Sequence, residues 1–135
     1  MSIIQWRNDL CIGHDLIDAQ HKRLFELTAK LYNIAIGSDD KSNLKPLLLE
    51  LYKYTLFHFD EEEMVMRNHK FPRYADHKLE HEQFVATLDA LALKAREDTS
   101  ALDIEILNWL SSWLVTHISI KDKMIGQCLS RDAQN

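Results

Sequence analysis

Leu51-Tyr-Lys-Tyr-Thr55-Leu-Phe-His58-Phe-Asp-Glu-Glu62-Glu-Met-Val-Met66 is the stretch on which the fold turns. Leu51, Thr55, His58, Glu62 and Met66 recur at steps of three and four, the period of one helix face. Leu47 and Leu48 extend that face backwards, which marks it as the buried one. The helix is expected to begin after Ser42-Asn43, with Pro46 near its first turn, where a missing N–H matters little. A histidine and a glutamate on a core stripe need partners, because a buried polar group left alone is unfavourable. Asp60, Glu61 and Glu63 fall off the stripe and read as a solvated face.

Working outward, Leu24, Phe25, Leu31, Tyr32 and Ala35 predict a helix from Asp18 to about Ile36, stopped by Gly37-Ser-Asp-Asp. Asn68-His-Lys-Phe-Pro72-Arg breaks the pattern, after which His77, His81, Phe84, Leu88 and Leu91 trace a third stripe as far as about Arg96. Ile106, Leu110, Trp113, His117 and Met124 trace the fourth, with Ser100 its candidate N-cap. Four helices of about 20 residues joined by short connections imply an all-α, up-down-up-down antiparallel four-helix bundle. Residues 1–14 precede it as an irregular arm, with Ile3, Trp6 and Ile12 available to lie against the bundle.

A chain of 135 residues is expected to form one domain, residues 1–135, with an ordinary globular composition of 46% apolar and 27% charged residues. A net charge of -5 argues against nucleic acid and anionic membrane surfaces as partners, since both select basic patches. The start lacks a secretory pattern and no uncharged run is long enough to span a bilayer, so a cytoplasmic protein is expected. Cys11 and Cys128 lack metal-type spacing and read as reduced thiols.

Five histidines, His21, His58, His77, His81 and His117, fall on the apolar stripes. One such histidine is more often a hydrogen-bonded core residue than a ligand; five together point to metal. His77 and His81, four apart, point the same way and can grip one ion, and His58 and Glu62 share that spacing. His117 and Asp122 are five apart, about 140° in a regular helix, so Asp122 joins the set only if the last helix ends, tightens or bulges between Ile118 and Asp122. Seven donors exceed one tetrahedral zinc site and suit a pair of six-coordinate irons. Of about twelve coordination positions, the imidazoles fill five, two bridging carboxylates four and a solvent-derived oxo or hydroxo bridge two, leaving one open. An open place on reduced iron within an apolar shell suits a small neutral ligand such as O2.

The segments Gly13…Asp18-Ala-Gln-His21-Lys, His58-Phe-Asp-Glu-Glu62, His77-x-x-x-His81 and Trp113…His117-Ile…Asp122 resemble the bacterial hemerythrins in order and spacing, from about Trp6 to Asp122. The resemblance implies that His77, His81 and His117 bind one iron, that His21 and His58 bind the other, and that Glu62 and Asp122 bridge them. It further implies reversible O2 binding at the two-histidine iron, for storage, carriage or delivery, with Trp113, Leu114 and Ile118 around the oxygen pocket. His14 and His69 lie outside the matching positions and are expected to be loop residues without metal. The expected protein is monomeric and not an enzyme. The alternatives are an O2 or redox sensor acting through a separate signalling partner, and a di-iron redox enzyme acting on peroxide or nitric oxide.

Overall fold

The computed structural model describes residues 5–97 and 104–134, so Ile3 of the arm and the Ser100 cap lie outside the described residues. The long helices are α1 (Asp15–Ala35), α2 (Leu44–Asn68), α3 (Tyr74–Glu97) and α4 (Ile104–Thr116). The fourth rod continues through a π-helical turn, His117–Asp122, into α5 (Lys123–Gln134). Helix α1 packs on α2 and α4, and α3 packs on the same two, which closes the four-helix bundle. Its core of Leu24, Leu31, Leu51, Phe84, Leu88, Leu107, Leu110 and Leu114 follows the first three stripes read above, whereas on the fourth rod Leu107 and Leu114 are buried and Ile106 and Trp113, expected on the stripe, are half-buried beside them. Among the described residues no helix is long and apolar enough to cross a membrane.

The α1–α2 and α2–α3 connections, at opposite ends of α2, are both fixed by their backbone. After α1, Gly37 takes φ +82°, and Ser38 N–H donates to Asn33 C=O at 2.9 Å while Gly37 N–H donates to Ile34 C=O. This left-handed cap satisfies carbonyls that the helix itself leaves unpaired. After α2 the same pattern recurs with Lys70 at φ 53° in the place glycine usually takes. Phe71 N–H donates to Met66 C=O at 2.9 Å, and the two side chains are buried in one cluster with Ile125 and Cys128. That apolar clamp outweighs the conformational disadvantage of a non-glycine residue there.

Helix α1 starts three residues before the expected Asp18. His14 is its N-cap, with Nδ1 accepting from Ile17 N–H at 3.2 Å. Asp18 instead turns its carboxylate back to accept from Ile12 N–H at 2.7 Å. That bond ties the arm down. Trp6 meets Phe25 edge to face at 5.5 Å, Leu10 is buried, and Ile12 lies directly over Gly126 of α5. A Cβ at position 126 would stand 2.1 Å from Ile12 carbonyl oxygen, so only glycine admits the arm.

Candidate metal centre

All seven donors named from the sequence meet at one end of the bundle, and each is buried. α1 contributes His21, α2 contributes His58 and Glu62, α3 contributes His77 and His81, and the π turn contributes His117 and Asp122. The turn is the bulge that five-residue spacing demands, because an i→i+5 turn stacks residue 122 over residue 117.

The donors sort into two groups around the carboxylates. Glu62 Oε2 lies 3.2 Å from His21 Nε2 and 3.1 Å from His58 Nε2. Its other oxygen, Oε1, lies 2.9 Å from His77 Nε2 and 3.0 Å from His81 Nε2. Asp122 divides in the same way, with Oδ2 3.0 Å from His21 Nε2 and Oδ1 2.9 and 3.2 Å from the Nε2 atoms of His77 and His117. Each carboxylate therefore turns one oxygen to a two-imidazole group and one to a three-imidazole group.

Hydrogen bonding alone does not explain these contacts. His58, His81 and His117 direct Nδ1 at acceptors: Gln20 Oε1 at 2.7 Å, Glu63 at 2.8 Å and Glu80 at 3.0 Å. A neutral imidazole that donates from Nδ1 carries a lone pair on Nε2. Those lone pairs face carboxylate oxygens, and His77 Nε2 and His117 Nε2 face each other at 3.0 Å. A proton or a metal ion between each lone pair and the oxygen it faces makes the arrangement favourable. Asp122 Oδ1 accepts no well-aligned hydrogen bond despite full burial. The spacing also fits a cation: neighbouring donors on an octahedral ion with bonds of about 2.1 Å lie about 3.0 Å apart.

The electrostatics agree. Burial pulls the His21 imidazole down, but hydrogen bonds to Asp122 and Glu62 prevail and push it up to about 10. The same contest carries His77 up to about 9. Burial wins at His58, which is held below its ordinary value. Burial alone would raise Glu62 and Asp122, yet the surrounding imidazoles hold both below the usual carboxylate range. In the metal-free chain protons thus supply the positive charge that the carboxylates require.

Aromatic packing fixes the rings. Phe59 lies flat on His81 with centroids 3.8 Å apart, and Trp113 lies flat on His117 at 4.2 Å. Leu114 and Ile118 are fully buried on the same rod, one turn or less from His117. His69, expected in a loop, caps the C-terminus of α2 and pairs with Asp132 at 2.8 Å. Three residues behind the imidazoles escaped the sequence reading. Glu63 was expected on the solvated face, but its side chain is 12% exposed and meets His81. Gln20 and Glu80 are neighbours in sequence of His21 and His81 and back His58 and His117 instead.

A helical bundle that aims five imidazoles and two carboxylates at one buried point is a non-haem metal-binding protein. The family model described as the hemerythrin HHE cation binding domain matches residues 12–129. The chain belongs to the hemerythrin family. It is 30% identical over 122 residues to a bacteriohemerythrin of Clostridium acetobutylicum, covering 87% of this chain and 95% of that one. It is 33% identical over 123 residues to a bacteriohemerythrin of Stenotrophomonas maltophilia, covering 91% and 79%. The crystal structure of a wild-type hemerythrin superposes with TM-score 0.85 at 28% identity, covering 96% of this chain and 99% of that one.

Proposed function

We propose that the chain binds O2 reversibly at a pair of iron ions, one held by His77, His81 and His117, the other by His21 and His58, with Glu62 and Asp122 bridging. The observation that carries this reading is the division of each carboxylate between the two imidazole groups, which suits two cations and leaves no such role with one. Family membership supports iron as the metal and O2 as the ligand. When bound, a reduced iron pair with one open coordination place supplies the reversible O2 chemistry.

The chain's own residues set the conditions for that chemistry. Seven donors from four rods are pre-positioned, so binding requires little rearrangement. Phe59 and Trp113 hold two rings in orientation by stacking. Leu114 and Ile118, buried beside His117, exclude water and anions from the centre, and we assign them with Trp113 to the oxygen pocket. Once the imidazoles give up their extra protons to act as neutral donors, Glu62 and Asp122 leave two uncompensated negative charges, which favours a strongly positive occupant.

The test is to load the purified chain with ferrous iron without air, count iron per chain, then admit and remove O2 while following visible absorption. Two irons per chain and recovery of the starting spectrum are expected. Consumption of O2 without recovery would overturn reversible binding and favour a redox enzyme.

A further inference from the structure

The groups standing behind the imidazoles are not alike on the two sides of the centre. In the group of His77, His81 and His117, two rings donate from Nδ1 to carboxylates: His81 to Glu63 at 2.8 Å and His117 to Glu80 at 3.0 Å. In the group of His21 and His58, the His58 ring donates to a neutral amide oxygen, Gln20 Oε1, at 2.7 Å. His21 Nδ1 is buried without a hydrogen-bond partner. A carboxylate behind an imidazole draws on the Nδ1 proton and makes Nε2 a stronger donor, and an amide does so far less.

Resting on the function proposed above, we propose that Glu63 and Glu80 are positioning residues that make the three-histidine iron the more electron-rich of the pair, while Gln20 keeps the two-histidine iron electron-poor. The three-histidine iron then holds ferric charge more readily. The other would retain weaker donors. The two carboxylates are not equal in this role. Glu80 also lies 3.5 Å from Lys121 Nζ and is 29% exposed, so part of its charge is already met and screened. Glu63 is 12% exposed, and its carboxylate faces His81. Glu63 has the larger influence of the two.

The inference is tested on the iron-loaded full chain with Glu63→Gln, Glu63→Asp, Glu80→Gln and Gln20→Glu. Iron content and thermal melting are measured first, then the midpoint potential by spectroscopic titration against an electrode that takes up each electron removed. Glu63→Gln is expected to shift the ratio of oxidised to reduced protein at fixed potential about tenfold toward reduced, which is about 59 mV for one electron. Glu80→Gln should move it less and in the same direction, Glu63→Asp should recover most of the wild-type value, and Gln20→Glu should move it toward oxidised. An oxidised-to-reduced ratio within twofold of wild type for Glu63→Gln at full iron content would overturn the proposal, as would Gln20→Glu and Glu63→Gln shifting in the same direction. Should Glu63→Gln lose iron, the signs for Gln20→Glu and Glu80→Gln still decide it. A wild-type chain that holds no iron pair sinks the proposed function as well; a loaded wild type with unmoved variants sinks this inference alone.

Discussion

Removing one donor at a time should divide the centre along its seam. Glu62 serves both imidazole groups, whereas His58 Nε2 lies against Glu62 Oε2 within the group containing His21. On the di-iron reading proposed above, Glu62→Ala would take a donor from both irons, and His58→Ala would take one from a single iron. Loss of even an outer partner commonly weakens metal binding about 10–100-fold, and loss of a direct donor exceeds that. The expected iron counts per chain are two for wild type, one for His58→Ala and none for Glu62→Ala. Stability should follow the counts. A site occupied at 100 times its dissociation constant contributes about 2.7 kcal/mol, and each kcal/mol moves the melting temperature of a chain this size by roughly 4 °C. Iron should then raise melting by roughly 20 °C in wild type, by roughly 10 °C in His58→Ala and negligibly in Glu62→Ala. Each rise is taken against the same variant without metal, so the packing cost of the substitution cancels. Iron analysis after gel filtration and melting followed by circular dichroism would check it. Two irons retained in His58→Ala, or one in Glu62→Ala, would refute the shared-carboxylate geometry.

In the metal-free chain His21 and His77 are raised to about 10 and about 9 from 6.5, so their contribution is complete below 6.5 and is lost as pH rises toward those values. Glu62 and Asp122 are held low, so theirs is complete above their ordinary values of 4.5 and 3.8 and is lost as pH falls below them. Melting scans between pH 6.5 and 10.5 should show falling stability in the metal-free chain and a flat profile in the loaded one; a flat metal-free profile contradicts the protonated cluster. Gly126→Ala drives a Cβ to 2.1 Å from Ile12 carbonyl oxygen, and should destabilise by about 1–3 kcal/mol in urea unfolding. An unchanged midpoint would mean that the arm does not lie on α5. Leu114→Ala and Leu110→Ala each remove a fully buried leucine and should cost about 2–5 kcal/mol. Only Leu114→Ala should also speed spontaneous oxidation of the O2-bound form, measured by its visible decay, and equal rates in the two variants would remove Leu114 from the oxygen pocket.

The helices and six of the seven donors, all but Asp122, were legible because both obey one rule. A side chain on an apolar stripe is buried, so imidazoles at positions 21, 58, 77, 81 and 117 had to be partnered inside the core. The start of α1 was not legible, since histidine is not a usual N-cap and Asp18, which is a usual one, spends its carboxylate on Ile12 N–H. Gln20, Glu63 and Glu80 were hidden for a different reason. Each sits beside a stripe, where sequence cannot distinguish a side chain reaching inward across a helix interface from one facing water. Glu63 shows the ambiguity: following Asp60, Glu61 and Glu62 it reads as part of an acidic surface run, and only the approach of α3 brings His81 to it.

Asp122 is the case in which an apparent misfit carried information. A five-residue step on a regular helix would send either His117 or Asp122 out of the core, and burying one without the other would leave an uncompensated charge or lone pair. Regular geometry and the donor set were therefore incompatible, and one had to yield. Relaxing one turn to π geometry forgoes some ideal backbone bonding, while losing Asp122 would leave His21 and His77 with Glu62 alone and take from His117 Nε2 the carboxylate it faces. The second loss is the greater, so the helix bends its own rule at the one place where two ligands would otherwise disagree. The same reasoning predicts where such turns should be sought in other bundles: wherever two buried donors on one helix are separated by five residues and both face a common partner.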